Sequence, residues 1–272
     1  MTLGLYDPIT LDGGRILLSN DDGVLAPGLK ALHRIAKTLV KDVWICAPET
    51  EQSGAGHSLT LRRPLRIRQV GPKRYAVDGT PTDSVLLGIR QVMQKHRPSL
   101  MLSGVNRGSN IAEDMTYSGT IAAAMEATLL GIPAIALSLH VSSGMAPRWE
   151  TAEAHGPDLI RRLITTRWPK NVMLNVNFPD CAPEDVKGIV VTRQGSRKMG
   201  EQLGQRTDMR GEHYYWIGPM SAAEAPPTDT DVAAVFGQYI SVTPLNLDLT
   251  DEPTSAALRD VLGAPLETMA PA

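Results

Sequence analysis

The sequence has no surplus of basic charge. Its 27 lysines and arginines face 29 aspartates and glutamates, a formal net charge of −2 over 272 residues. Counterion release from a nucleic-acid backbone therefore has little to draw on, and no nucleic-acid partner is expected. Cysteine is scarce. Cys46 falls in an apolar segment and Cys181 in a loop, with no CxxC or other metal spacing, which reads as two free thiols in a reducing compartment. Long apolar runs are missing too. The longest, residues 129–139, is broken by Gly131, Pro133 and Ser138 and is too short to span a bilayer. No positive charge precedes Arg15, so no signal-peptide n-region is seen. A GxxxxGK[ST] phosphate loop is absent, as is any internal repeat of solenoid period. These absences point to a cytoplasmic protein without a membrane partner. What is present, 42% hydrophobic and 21% charged residues, excludes disorder for the bulk of the chain and suffices for a buried core.

At roughly 150 residues per domain, the length allows one large or two small domains. Residues 1–14 lack periodicity and read as a flexible leader. Arg15–Ser19 (RILLS) is a short apolar strand that ends in Asn20-Asp21-Asp22-Gly23. Pro27 then suits a first helical turn, and Leu29, Leu32, Ala36 and Leu39 follow at helical spacing. A second strand at 43–47 completes a β–α–β unit, which requires parallel strands and a right-handed connection. A polar loop at 49–61 leads to a strand pair at 65–70 and 74–77. Thr82 or Asp83 is placed to cap a helix bearing Val85, Ile89 and Val92. Strand 100–103 is followed by a loop at 104–117, helix 119–130, strand 134–138, a helix over about 149–166 and strand 172–177. This alternation predicts an α/β fold, a mostly parallel sheet with helices on both faces. Past about residue 195 the character changes. Segments 205–217 and 236–242 read as strands of an antiparallel appendage joined by a Pro/Ala/Thr-rich connector at 219–231. Residues 255–272 read as a short helix and a loose tail. The expected division is a leader (1–14), a core (15–195), an arm (196–245) and a C-terminal tail (246–272).

Ligands of open α/β sheets bind beyond the carboxyl ends of the strands. The first strand delivers Asn20, Asp21, Asp22 and Gly23 there. The second delivers a loop with Ser53, Gly54, Gly56 and His57, and the strand near residue 100 delivers SGVNRGSN (103–110). Two adjacent carboxylates resist joint ionisation unless a cation is near, so Asp21-Asp22 implies a bound metal or a raised pKa. Ser53 and Asn106 add neutral oxygens, and oxygen-only ligation favours Mg²⁺ or Mn²⁺ over Zn²⁺. Taken alone, Asn-Asp-Asp-Gly reads better as a turn and cap than as a site; matching donors on the two other loops at the same sheet edge weaken that reading and favour the site. Ser118-Gly119-Thr120 opens a helix and is either an anion site or a plain N-cap. Asn106 and Asn110 flank Gly108 in a loop of small residues. His57 is either an acid or phosphate contact or a structural loop histidine. Asn175 and Asn177 end a strand at the same edge, as substrate contacts or as strand-end caps.

ILLSNDDG (16–23), APETEQS (47–53), VDGTPTDS (77–84), SGVNRGSN (103–110), YSGTIAAA (117–124), LNVNFP (174–179) and YISVTPL (239–245) occur in collinear order. Together they resemble the SurE (survival protein E) family of 5′/3′-nucleotidases. The resemblance implies a Rossmann-like core with a C-terminal β-hairpin appendage. It also implies a phosphomonoesterase that depends on one divalent metal ion per subunit, Mg²⁺ or Mn²⁺. The implied substrates are nucleoside 5′- and 3′-monophosphates and short polyphosphate. Carried over by position, Asp21, Asp22, Ser53 and Asn106 are the metal ligands, and Asp21 and Asp22 the catalytic pair. Asn110, Ser118, Gly119 and Thr120 are the phosphate contacts. The family's exchange of C-terminal hairpins implies a homodimer or homotetramer, with the arm as its means.

Two other classes compete. A signalling receiver also carries an acidic pair after its first strand, but it needs a lysine after the fifth, where this chain has Leu139-His140. A nucleotide-binding protein without turnover would use the same metal site merely to grip phosphate.

Overall fold

The computed structural model describes residues 4–197, 203–218 and 226–263. In chain order its elements are β1 (Arg15–Ser19), α1 (Pro27–Leu39), β2 (Asp42–Pro48), β3 (Ile67–Gly71), β4 (Arg74–Val77), α2 (Pro81–Leu87), β5 (Leu100–Arg107), α3 (Gly119–Leu129), β6 (Ala134–Leu139), α4 (Trp149–Leu163), β7 (Val172–Phe178), β8 (Ile189–Val191), β9 (Leu203–Thr207), β10 (His213–Ile217), α5 (Asp231–Phe236), β11 (Ile240–Asn246) and α6 (Glu252–Leu262).

Nine strands form one sheet in the order β3-β4-β2-β1-β5-β6-β7-β11-β8. The pairs from β4 through β7 are parallel, whereas β3 and β11 run antiparallel to β4 and β7. Alternate residues of β1 face opposite layers. Ile16 and Leu18 pack in the cluster with Leu29, Leu32 and Ile160, under α1 and α4. Leu17 packs with Val85, Ile121 and Ala124, under α2 and α3. The fold is thus α/β, with helices on both faces of a mostly parallel sheet. Among the described residues no helix is long and apolar enough to cross a membrane.

The order of the strands fixes where a ligand can bind. From β1 the chain moves outward through β2 and then returns to β5 on the other side of β1. A crevice opens where the winding reverses, beyond the carboxyl ends of β1 and β5. Asp21 and Asp22 follow β1, and Asn106 lies near the end of β5. Close packing holds the rim: a Cβ on Gly28, in the first turn of α1, would lie 1.9 Å from the Val105 carbonyl oxygen.

Several boundaries differ from the sequence reading. Residues 4–14 are not a free leader. Tyr6 is buried edge-on against Trp168, its N–H donates to the Trp168 carbonyl (2.9 Å), and Ile9 N–H donates to Ile164 O (2.9 Å). Apolar Tyr6, Ile9 and Leu11 cover the end of α4, an anchoring that a search for periodicity misses. The cap of α2 is Thr80, two or three residues earlier than the expected Thr82 or Asp83, with Asp83 completing a reciprocal capping box. Strand β5 continues through Gly104 to Arg107 rather than stopping at Ser103. The expected arm contracts. Among the described residues only β9 and β10 stand apart, as a two-stranded sheet. Residues 231–236 are helical, and β11 lies within the main sheet between β7 and β8. Part of the expected connector (219–225) and of the expected tail (264–272) falls outside the described residues.

Candidate active site

Asp21 sits at the bottom of the crevice, 4% exposed. Thr120 Oγ1 donates to its Oδ1 (2.5 Å), and its carbonyl accepts from Gln52 N–H (2.8 Å). The first bond joins β1 to α3, the second to the loop after β2. Gly119 is a steric requirement here, because a Cβ would come within 2.6 Å of Asp21 Cβ. Burial raises the Asp21 pKa, against the opposing Thr120 hydrogen bond. Asp22 is half-buried, and its pKa is pushed up to about 6, first by burial and then by the Asp21 charge.

A concavity of about 430 Å³ opens above Asp21, lined among others by Ser53, Asn106, Asn110, Ser118 and Arg107. A neighbouring concavity is lined by Asp22, Glu51, Ser53 and Arg107. Ser53 and Arg107 thus border both, so the concavity lined by Asp21 and the one lined by Asp22 adjoin here. Asn106 Nδ2 donates to Gly108 O (2.9 Å). That bond spends the amide nitrogen and leaves its oxygen as the group open to a ligand.

The predicted phosphate residues are sorted by their bonds. Ser118 caps α3, its Oγ accepting from Ile121 N–H (3.1 Å), and it lines the concavity. The cap and the pocket wall are therefore the same residue, and its hydroxyl proton stays available. Thr120 is fully buried; its hydroxyl and its main-chain N–H are both spent on the Asp21 carboxylate, so it supports Asp21 from behind and is not among the residues that line the concavity. Asn110 is held on three sides. Its N–H donates to Asn177 Oδ1 (2.8 Å), its carbonyl accepts from Asn175 Nδ2 (2.8 Å) and Asn177 Nδ2 (3.1 Å), and its own Nδ2 donates to Ser138 Oγ (2.7 Å). Asn175 and Asn177 therefore buttress Asn110. His57 bonds Glu126 Oε2 (3.1 Å) and ties its loop to α3 instead of lining this concavity.

The structure brings in residues that sequence reasoning passed over. Asp114, Tyr117, His140 and Arg197 line the same concavity. His140 Nδ1 is 3.2 Å from Ser109 Oγ, and burial lowers its pKa, so it stays neutral at neutral pH. Its position directly after β6 was the one available signal.

The donor set fits a hard divalent ion. It offers two carboxylates and two neutral oxygens without nitrogen or sulfur, and the carboxylates are raised by burial and by proximity, which a cation relieves.

A family model described as Survival protein SurE matches residues 16–201. A protein of Paramagnetospirillum magneticum named 5′-nucleotidase SurE is 58% identical over 252 residues, covering 93% of this chain and 96% of that relative. One of Rhodopseudomonas palustris with the same name is 52% identical, covering 92% of this chain and 100% of its own length. Among solved structures, the Sure protein from Aquifex aeolicus superposes with a TM-score of 0.80 at 40% identity, covering 91% of this chain and 99% of that one.

Proposed function

The chain belongs to the SurE family, and from that membership we propose that it is a 5′-nucleotidase, a divalent-metal-dependent phosphomonoesterase that releases phosphate from nucleoside 5′-monophosphates. The observation that carries the reading is the joint opening of Asp21, Ser53, Asn106 and the N-terminus of α3 into one concavity at the sheet's reversal point. The reading extends to 3′-monophosphates and short polyphosphate, since the groups in question address a terminal phosphate rather than the position that carries it.

Asp21, Asp22, Ser53 and Asn106 would hold one Mg²⁺ or Mn²⁺. Bound there, the ion supplies positive charge that offsets the phosphate dianion and its transition state. The chain's own groups do the rest. The Ser118 hydroxyl, the adjoining Gly119 main-chain N–H and the helix dipole take the phosphoryl oxygens, while Thr120 holds Asp21 in place. Asn110 is pre-positioned by its three buttresses, so it holds the transferred group at no further cost in order. A water entering in line with the departing ester oxygen forms the new P–O bond and passes its proton to Asp21 or Asp22, while the ester P–O bond breaks and the leaving nucleoside oxygen takes a proton from solvent water in the open concavity.

The exposed Tyr215, Trp216 and Ile217 of β10 and Leu203 of β9 support a homo-oligomer, dimer or tetramer, formed through the hairpin. Cytoplasmic placement fits the two free, buried thiols.

The test is phosphate release from adenosine 5′-monophosphate with Mn²⁺, with and without chelator. Release that needs the metal supports the reading, and none under either condition rejects it. Rapid acid quench during a single turnover identifies the attacking group: no phosphorylated protein supports water, and a trapped aspartyl-phosphate would replace it by an aspartate nucleophile.

A further inference from the structure

Arg197 lies at the root of the hairpin, yet it lines the concavity above Asp21. Its Nη2 pairs with Asp114 Oδ2, and both side chains are only 11% exposed. The main chain is held as tightly. Arg197 N–H donates to Glu113 Oε2 (2.5 Å), Ser196 Oγ to Glu113 Oε1 (2.8 Å), and Gly195 N–H to the buried Asp231 Oδ1 (2.8 Å). The guanidinium Nε is buried and has no partner among the described residues. A rigidly held fork with unused donors at a pocket wall is a recognition element.

The position of the pair states what it recognises. Asp114 belongs to the turn whose carbonyl accepts Ser118 N–H (3.0 Å) and Tyr117 N–H (3.1 Å). The pair therefore flanks the N-terminus of α3. A ligand with its phosphate at Ser118 and Gly119 must extend past it or away from it, and about 430 Å³ is far more room than a phosphate needs. Arg197 and Asp114 together are neutral, so the pair gives little to a dianion. It offers directional donors to a neutral group rich in acceptors. The half-exposed ring of Tyr117, 49% accessible, borders the same space and supplies a flat apolar face of the kind that stacks on bases.

We propose that Arg197, oriented by Asp114, is a specificity-determining residue that donates to the nucleoside portion of the substrate, with Tyr117 as the adjoining stacking face. This rests on the phosphomonoesterase reading for its substrate, but the recognition itself does not require turnover.

Arg197→Lys keeps the charge opposite Asp114 and removes the planar fork. The experiment measures kcat/KM for adenosine 5′-monophosphate and for p-nitrophenyl phosphate, which has no nucleoside, in wild type and variant. It also measures adenosine binding by calorimetry. The expected result is a fall of tenfold or more in the ratio of the two kcat/KM values, carried by KM, and a matching loss of adenosine affinity. Tyr117→Ala should lower the same ratio. An unchanged ratio in Arg197→Lys, whether both activities fall together or neither falls, overturns the proposal, as does adenosine binding equal to wild type. If the wild type hydrolyses neither ester, the phosphomonoesterase reading fails. Adenosine binding that weakens tenfold in the variant then still upholds the recognition role, and binding that is absent or unaltered ends it.

Discussion

The crevice and the hairpin are opposite ways of spending polar and apolar residues. At the crevice the chain buries what water would normally satisfy: Asp21, Asn110, Ser118 and Thr120 are all buried, and most of their donors and acceptors are matched within the chain. At the hairpin it exposes what water would normally exclude. Every described residue of β10 is exposed, Tyr214, Tyr215, Trp216 and Ile217 included. Buried polar groups demand their partners and so fix geometry, while an exposed apolar ribbon fixes nothing within its own subunit. The crevice is built for positioning, and the hairpin has the composition of a contact surface.

The sharpest way to break this contrast is at Asp21. Asp21→Asn should cut phosphate release by about a thousandfold, the several kcal/mol that ion placement and charge contribute. The melting temperature should not fall, because the amide keeps an acceptor for Thr120 and removes a buried charge. Near wild-type turnover would remove Asp21 from the site. Stripping the divalent ion with chelator should abolish release of phosphate, and Mn²⁺ should restore it and raise the melting temperature by linkage. In Asn106→Ala the restoring titration should shift to higher Mn²⁺, and an unshifted curve would take Asn106 off the ligand set.

A smaller effect is expected at Asn177. Asn177→Ala leaves the buried Asn110 N–H without its acceptor and should cost about 1–3 kcal/mol in a denaturant titration. A loss within about 0.5 kcal/mol, the size of an ordinary surface change, would mean that Asn110 is held by Asn175 and Ser138 alone. At the hairpin, Trp216→Ser should leave subunit stability within about 0.5 kcal/mol but lower the association state in sedimentation. Unaltered assembly would detach the hairpin from that role. The least effect belongs to Cys46, whose thiol is pushed up to about 12 by burial. A thiol reagent should leave it unmodified in the folded protein and label it on denaturation.

Much of the fold was legible because burial leaves a period. Leu17 and Leu18 alternate between layers, and the α1 positions repeat at helical spacing. That Asp21, Ser53 and Ser118 come to one edge was legible because their segments follow a strand or open a helix, and Asn106 joins them from the end of β5 itself, which runs on to Arg107. The contacts that complete the site were not. Arg197 and Asp114 are 83 positions apart, and no local pattern announces such a pair. Asn175 and Asn177 were visible as strand-end polars, but their target, the main chain of Asn110, carries no side-chain signature. β11 escaped because its Ile240–Asn246 segment looks like any appended strand; only its register with β7 places it in the sheet.

The seat of β11 has one more implication. The last long strand is laced between β7 and β8, while the hairpin that precedes it is the outlying part. A protease that nicks the turn between residues 207 and 213 would sever the backbone without releasing either piece. The halves would elute as one particle from a native column and separate only when the sheet is melted, so the ribbon could be cut open while the crevice stays whole.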